Sequence, residues 1–169
     1  MQTTPTQQHR DLLALICDAY EAFLGHLPGE ALLPPEFASA TRARKRQWID
    51  QDAPFGLLAH DRSDDPRFVY ANRKALSIFA GSSDELIGLP SRFSAPAEKQ
   101  AARQVFIDRV RRDGIAFDYS DTRRDLEGRL FEIVSGTLWK WRDEMGEHAG
   151  EAALIWKEAD KPETPSSTI

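Results

Sequence analysis

At 169 residues, 41% of them hydrophobic, the chain can bury one core of ordinary size with room left for peripheral segments. A net charge of −5 argues against the footprint of a nucleic-acid-binding protein, and the single cysteine, Cys17, excludes an intrachain disulfide and a cysteine-based zinc cluster. No apolar run approaches the roughly 20 residues that span a bilayer, and the N-terminus lacks a secretory pattern, so a soluble cytoplasmic protein is expected, with no membrane partner.

Residues 1–8 are polar and expected to fray. From Arg10 to Leu27 the apolar residues Ile16, Ala19, Tyr20, Phe23 and Leu27 mark one stripe of an amphipathic helix, which Pro28 and Gly29 end. A turn-rich connector, LPGEALLPPEF, leads to a second helical stretch at 39–52 with Trp48 and Ile49 as anchors. Its basic run of Arg42, Arg44, Lys45 and Arg46 has no interleaved aromatics and reads as a solvated helix face rather than a nucleic-acid contact.

PFGLLAHD and RFVYAN are two runs of strand length separated by the polar turn RSDDP. After Asn72 the period changes to helical through Ala75, Leu76 and Phe79, and Gly81 stops that helix. Ser82 to Glu85 has the form of a capping box for a second short helix ending at Gly88. SAPAEKQAARQVFIDRVRRDG reads as the longest helix of the core, closed by Gly114. Three strands follow, IAFDYSDTRRD, LFEIVSGTLWKW and AGEAALIWKE, joined by hairpin turns and therefore antiparallel. The tail from Asp160 is low in apolar residues and expected to be disordered.

Strict alternation sends Phe131, Ile133, Thr137 and Trp139 to one face and Leu130, Val134 and Leu138 to the other. Ala153 and Ile155 likewise oppose Ala152, Leu154 and Trp156, so both faces of the sheet are apolar and need covering. The core helices cover one. The other requires the N-terminal helix, from the same subunit or a neighbour, and this two-faced sheet predicts a two-fold homodimer.

Two strands, short helices, one longer helix and three antiparallel strands follow the order of a PAS domain. The phrase VYANRKALSIFAGSSDELIGLPSRF resembles the PAS core, and the match is closer to the MEKHLA subgroup of PAS-like domains. His60-Asp61, Asp65-Pro66, Phe68, Tyr70-Ala71-Asn72, Ala75-Leu76, Phe79, Leu89-Pro90-Ser91-Arg92 and Ser94 carry it. So do Arg103, Gly114, Asp118-Tyr119, Arg123, Gly128-Arg129, Phe131, Ile133, Trp139, Asp143-Glu144, Gly146, Gly150 and Ala152-Ala153. The resemblance spans about residues 10–157, with a PAS-like core at 54–158, a helical extension and connector at 1–53, and a tail at 159–169.

It implies an α+β fold with a five-stranded antiparallel sheet. It also implies a sensory or regulatory module, of the stand-alone bacterial type, that binds a small ligand and signals by association with an effector protein. The alternative is a ligand-free interaction module that dimerises. A flavin photoreceptor of the light-oxygen-voltage type needs a cysteine on the short helices after the second strand; Cys17 lies outside them, which excludes that photochemistry. Haem would call for a histidine on the long helix, and residues 97–113 contain none.

Phe68, Tyr70, Phe79, Phe93, Phe106, Tyr119, Phe131 and Trp139, with Arg92, are the candidate lining of a pocket between sheet and helices, set against plain core filling. Arg92 suits either an anion or a carboxylate partner such as Asp118. His60 with Asp61, Asp64 and Asp65 raises a metal site and, with it, a metal-dependent enzyme. DRSDDP is also a good turn, in which Asp61 and Asp65 cap backbone groups, and this reading is preferred. Asn72, at a strand-to-helix junction, reads as a cap. No nucleophile–base pairing, phosphate loop or H-E-x-x-H is present, so no enzymatic activity and no metal are expected.

Overall fold

In a computed structural model, which describes residues 6–162, one antiparallel sheet separates two apolar layers. The chain runs through α1 (Gln7–Leu24), α2 (Arg42–Gln51), β1 (Gly56–Asp61), β2 (Phe68–Ala71), α3 (Arg73–Ile78), α4 (Ser83–Leu86), α5 (Gln100–Asp113), β3 (Ile115–Arg124), β4 (Leu130–Arg142) and β5 (His148–Lys157). The sheet order is β2-β1-β5-β4-β3. The first and last strands pair at the centre, with Leu58 opposite Ala153 and His60 opposite Glu151. This is the expected α+β, PAS-like architecture. Of residues 1–8, expected to fray, Thr6 caps α1 and Gln7 and Gln8 belong to it. Of the tail expected to be disordered from Asp160, that residue closes a 3₁₀ turn at Glu158–Asp160. Residues 1–5 and those beyond 162 fall outside the described residues. Among those described, no helix is long and apolar enough to cross a membrane.

α1 begins where Thr6 accepts the His9 N–H and ends earlier than the sequence pattern indicates. Gly25, at φ 79°, takes the left-handed conformation that closes the helix before Pro28 is reached. The buried stripe is Leu13, Ile16, Cys17 and Tyr20, one step round from the predicted one, and Phe23 is left half exposed. The stripe packs on the sheet of its own chain: the Tyr20 ring meets Trp139 edge-on at 4.8 Å. α2 completes the cover with Trp48 and Ile49, and Phe55 and Trp156 join the same cluster. The basic run of α2 is engaged within the chain, with Arg42 on Glu21, Lys45 3.6 Å from Glu30 and Arg44 over the Phe37 ring. The outer face is thus closed by its own subunit, and the bare-face argument for a homodimer lapses.

Three irregularities overturn the strict alternation. Between Ala59 and His60 of β1 the register with β2 shifts by one residue, so Phe68 faces the inner layer and Tyr70 the outer. In β3 the shift falls between Ala116 and Tyr119, where Asp118 has φ 58° and Phe117 turns to solvent. In β4 it falls between Val134 and Thr137, where Ser135 has φ 52°. Phe131, Ile133 and Leu138 therefore face inward together, while Val134 and Trp139 face outward.

Candidate functional site

The inner layer is built by α3, α4 and α5 over the sheet. Asn72 sets its entrance geometry. Its carboxamide oxygen accepts the N–H groups of Ala75 and Leu57, both at 2.9 Å, and its nitrogen donates to the Ile49 and Phe55 carbonyls. One buried side chain thereby joins the start of α3, β1 and the end of α2. Ser82 and Glu85 form a complete capping box for α4. From there the chain passes through a 3₁₀ turn at Ser91–Ser94, whose buried Ser91 faces the long helix and whose buried Ser94 faces β3.

Between sheet and helices lies a cavity of about 40 Å³, lined among others by Leu58, Phe68, Phe79, Ile133, Leu138 and Ile155. Its polar lining comes from five buried residues: His60, Arg103, Arg123 and Glu151, and the hydroxyl-bearing Tyr119. Arg103 of α5 donates to Ser91 Oγ, and Arg123 of β3 donates from Nη2 to Ser94 Oγ at 2.5 Å. Tyr119 donates its hydroxyl to Asp121 Oδ2 at 2.7 Å. Glu151 takes Arg111 on Oε1, while His60 Nδ1 lies 3.7 Å from Oε2.

The electrostatics follow from burial. Loss of water lowers Arg103 from its usual range to about 10, and the like charge of Arg123 adds to the effect. Burial also holds His60 below the ordinary histidine value, against the opposite pull of the Asp61 carbonyl and Glu151. The Tyr119 hydroxyl is pushed up to about 12, chiefly by burial, with Arg123 opposing and the Asp121 hydrogen bond adding.

Of the residues singled out in the sequence, Phe68, Phe79 and Tyr119 line this cavity. Phe131 packs edge-on against Phe79 at 5.4 Å, and Phe106 stacks on Tyr119 at 4.7 Å, so both stand just behind the lining. Tyr70 and Trp139 do not belong to it: the shifts in β1 and β4 place them on the outer face, beneath the N-terminal helices. Arg92 and Phe93 are exposed. Arg92 Nε pairs with Asp65 Oδ1 at 2.9 Å, not with Asp118, and its guanidinium lies over the Phe93 ring.

Asp61 accepts from the Ser63 N–H and hydroxyl and from the Arg67 N–H, so its carboxylate organises the turn, while His60 points into the cavity. Among the described residues no three acidic, histidine or cysteine side chains gather as metal ligands. Arg103, Arg123 and Glu151 escaped sequence reasoning as site residues. The available signal was a lone charge in an otherwise apolar strand, as Glu151 is within AGEAALIW.

The sequence profile of the MEKHLA domain matches residues 10–158. The chain belongs to the MEKHLA domain family. Comparison with curated protein sequences returned no match. The fold of this MEKHLA domain is similar to that of a PAS domain from Colwellia psychrerythraea, with a TM-score of 0.60, 11% identity, and coverage of 70% of this chain and 98% of the other. It also resembles the LOV domain of a blue-light-activated histidine kinase from Erythrobacter litoralis, at 0.53 and 17% identity over 63% of this chain and 97% of that one. A third similar structure is the light-state dimer of the fungal photoreceptor Vivid, at 0.50 and 19% identity over 62% and 78%. In the MEKHLA domain Cys17 is on the buried stripe of α1, in the outer layer, and burial raises its thiol far above the usual range. It is on the far side of the sheet from the cavity.

Proposed function

We propose that this MEKHLA domain is a sensory module: a small molecule occupies the cavity between sheet and helices, and its presence changes association with an effector protein or a second copy of the chain. The observation that carries this reading is the placement of two guanidiniums and a carboxylate, all buried, around a cavity whose remaining lining, His60 and Tyr119 apart, is apolar. Buried charge is costly unless paired, and groups held so are more suited to recognising something than to filling a core. Self-association is supported by the dimeric state of the light-activated Vivid structure, a property of that protein. Exposed Phe23, Phe93 and Phe117 offer apolar surface for such a contact.

A second reading has its own support. The space is about 40 Å³, far below the roughly 300–1,000 Å³ of pockets for larger ligands, which favours an interaction module that carries nothing inside. Native mass spectrometry of gently purified protein separates the two. Extra mass that leaves on denaturation is expected for the sensor; its consistent absence, with no small molecule altering stability or assembly, would leave only the interaction module.

A further inference from the structure

Arg103 and Arg123 reach the cavity from different elements, yet among the described residues neither has a carboxylate within ion-pairing distance. Each donates to one serine hydroxyl of the same 3₁₀ turn, and a guanidinium has five donors to satisfy. Arg123 is 6% exposed and its Nε–H has no acceptor among the described residues. Asp121, the carboxylate whose charge acts on Arg103, is engaged by the Tyr119 hydroxyl. In the same cavity Glu151, 2% exposed, has Oε2 without a donor, while Arg111 holds Oε1. The cavity thus offers an unmet donor and an unmet acceptor between apolar walls.

The geometry points to a small carboxylate bearing a hydroxyl group, of the size and kind of lactate, as the ligand of this cavity, with its carboxylate received by Arg103 and Arg123 and its hydroxyl donated to Glu151 Oε2. This rests on the sensory reading above and names its ligand class. A planar carboxylate matches the fork of a guanidinium, and the walls formed by Phe68, Phe79, Leu138 and Ile155 suit a short carbon chain better than a phosphate. Charge balance selects a monoanion over a zwitterion. Arg103, Arg111 and Arg123 face Glu151 and Asp121, and His60 is held below its ordinary range, so the cluster keeps an unmatched positive charge that an amino acid would not cancel. Arg111 also lines an open groove with Arg62 and Lys140, three cations against the single carboxylate Asp64, and this balance favours the arrival of an anion.

The test is titration of the full chain with L-lactate, propionate and inorganic phosphate, followed by NMR of the arginine Nε–H resonances and by calorimetry. Lactate is expected to saturate and to shift the Arg123 and Arg103 signals; propionate binds more weakly and phosphate does not shift them. Arg123→Lys, which keeps the charge but loses the fork, weakens lactate by about tenfold or more, in the range of a lost charge-assisted hydrogen bond. The inference is overturned if neither carboxylate gives a saturable shift in the wild-type protein, if phosphate moves the same resonances as strongly as lactate, or if a folded Arg123→Lys binds as well as wild type. Native mass spectrometry distinguishes the two levels of failure. A different molecule retained by the isolated protein leaves the sensory reading standing and removes the hydroxycarboxylate; no retained molecule and no carboxylate binding remove both.

Discussion

Trp139 donates its indole N–H to the main-chain oxygen of Ile16 at 3.1 Å, joining residues 123 apart in sequence. Both are completely buried, and the bond ties the middle of β4 to the N-terminal helix. α1 is therefore part of the core rather than an appendage to it. Leu57, Leu154 and Trp156 share its cluster.

Ile16→Ala is expected to destabilise the domain by about 2–5 kcal/mol, the range for truncating a well-packed aliphatic residue. Urea unfolding followed by tryptophan fluorescence reads this directly. Removal of residues 1–29 should then leave a protein that aggregates. A soluble, equally stable truncation would mean that α1 contributes nothing to the core.

Asn72 makes four buried hydrogen bonds to three parts of the chain. Asn72→Ala strands several backbone groups at once and should cost about 3 kcal/mol or more, since each buried unsatisfied group costs about 1–3 kcal/mol. Asn72→Asp is the sharper comparison. It retains the acceptor for Ala75 and Leu57 but turns a second oxygen toward the Ile49 and Phe55 carbonyls. If the aspartate variant matches wild type in chemical unfolding, the two donated bonds carry no weight.

These contacts also show how far the sequence could be read. The pairing of the first and last strands joins segments about 95 residues apart and comes only with the fold the resemblance implies. Element order, the capping box at Ser82 and the need for a second apolar cover all follow from local patterns. Faces of strands do not, once a register shift intervenes. Period-two counting groups Trp139 with Ile133, and only the backbone of Ser135, at φ 52°, reverses that grouping. Ser135 looks ordinary in sequence because serine is not a residue that advertises positive φ. The polar end of the cavity was hidden for another reason: His60, Arg103, Arg123 and Glu151 come from four elements and meet only in three dimensions. Arg92 drew attention as a possible anion ligand, while Arg123 supplies the buried guanidinium.

Asp50 gives the outer layer a pH dependence. It is buried, with His9 Nε2 2.7 Å from Oδ1 and the Tyr70 hydroxyl donating at 2.6 Å. Burial alone would raise its carboxyl, but the hydrogen bonds from His9 and Tyr70 outweigh it and hold the folded value below the ordinary one. A depressed folded value means that the stabilisation is complete above the unfolded value, about 3.9, and is lost as pH falls through the lower folded value. Asp50→Asn removes this titration. Between about pH 5 and pH 2 wild type should lose more stability than Asp50→Asn, measured as the difference between their unfolding midpoints, which subtracts the shared acid response of Asp61 and Asp125. Parallel curves would exclude a depressed Asp50.

Arg123 should be a liability to the unliganded fold. Its guanidinium is buried beside that of Arg103 and has one hydroxyl partner, while its Nε–H has none. A buried charge without an ion-pair partner keeps its desolvation cost uncompensated, and even paired buried charges are often replaced by apolar residues at no loss or with a gain of about 1–4 kcal/mol. Arg123→Met is therefore expected to unfold at an equal or higher temperature than wild type in buffer free of carboxylates. The loss of the Ser94 hydrogen bond works the other way, but Ser94 Oγ can still donate to the Ser91 carbonyl, 2.7 Å away. A residue kept for binding rather than folding behaves in this way. If Arg123→Met instead lowers the midpoint sharply, the guanidinium is holding β3 to the 3₁₀ turn, and its role is structural.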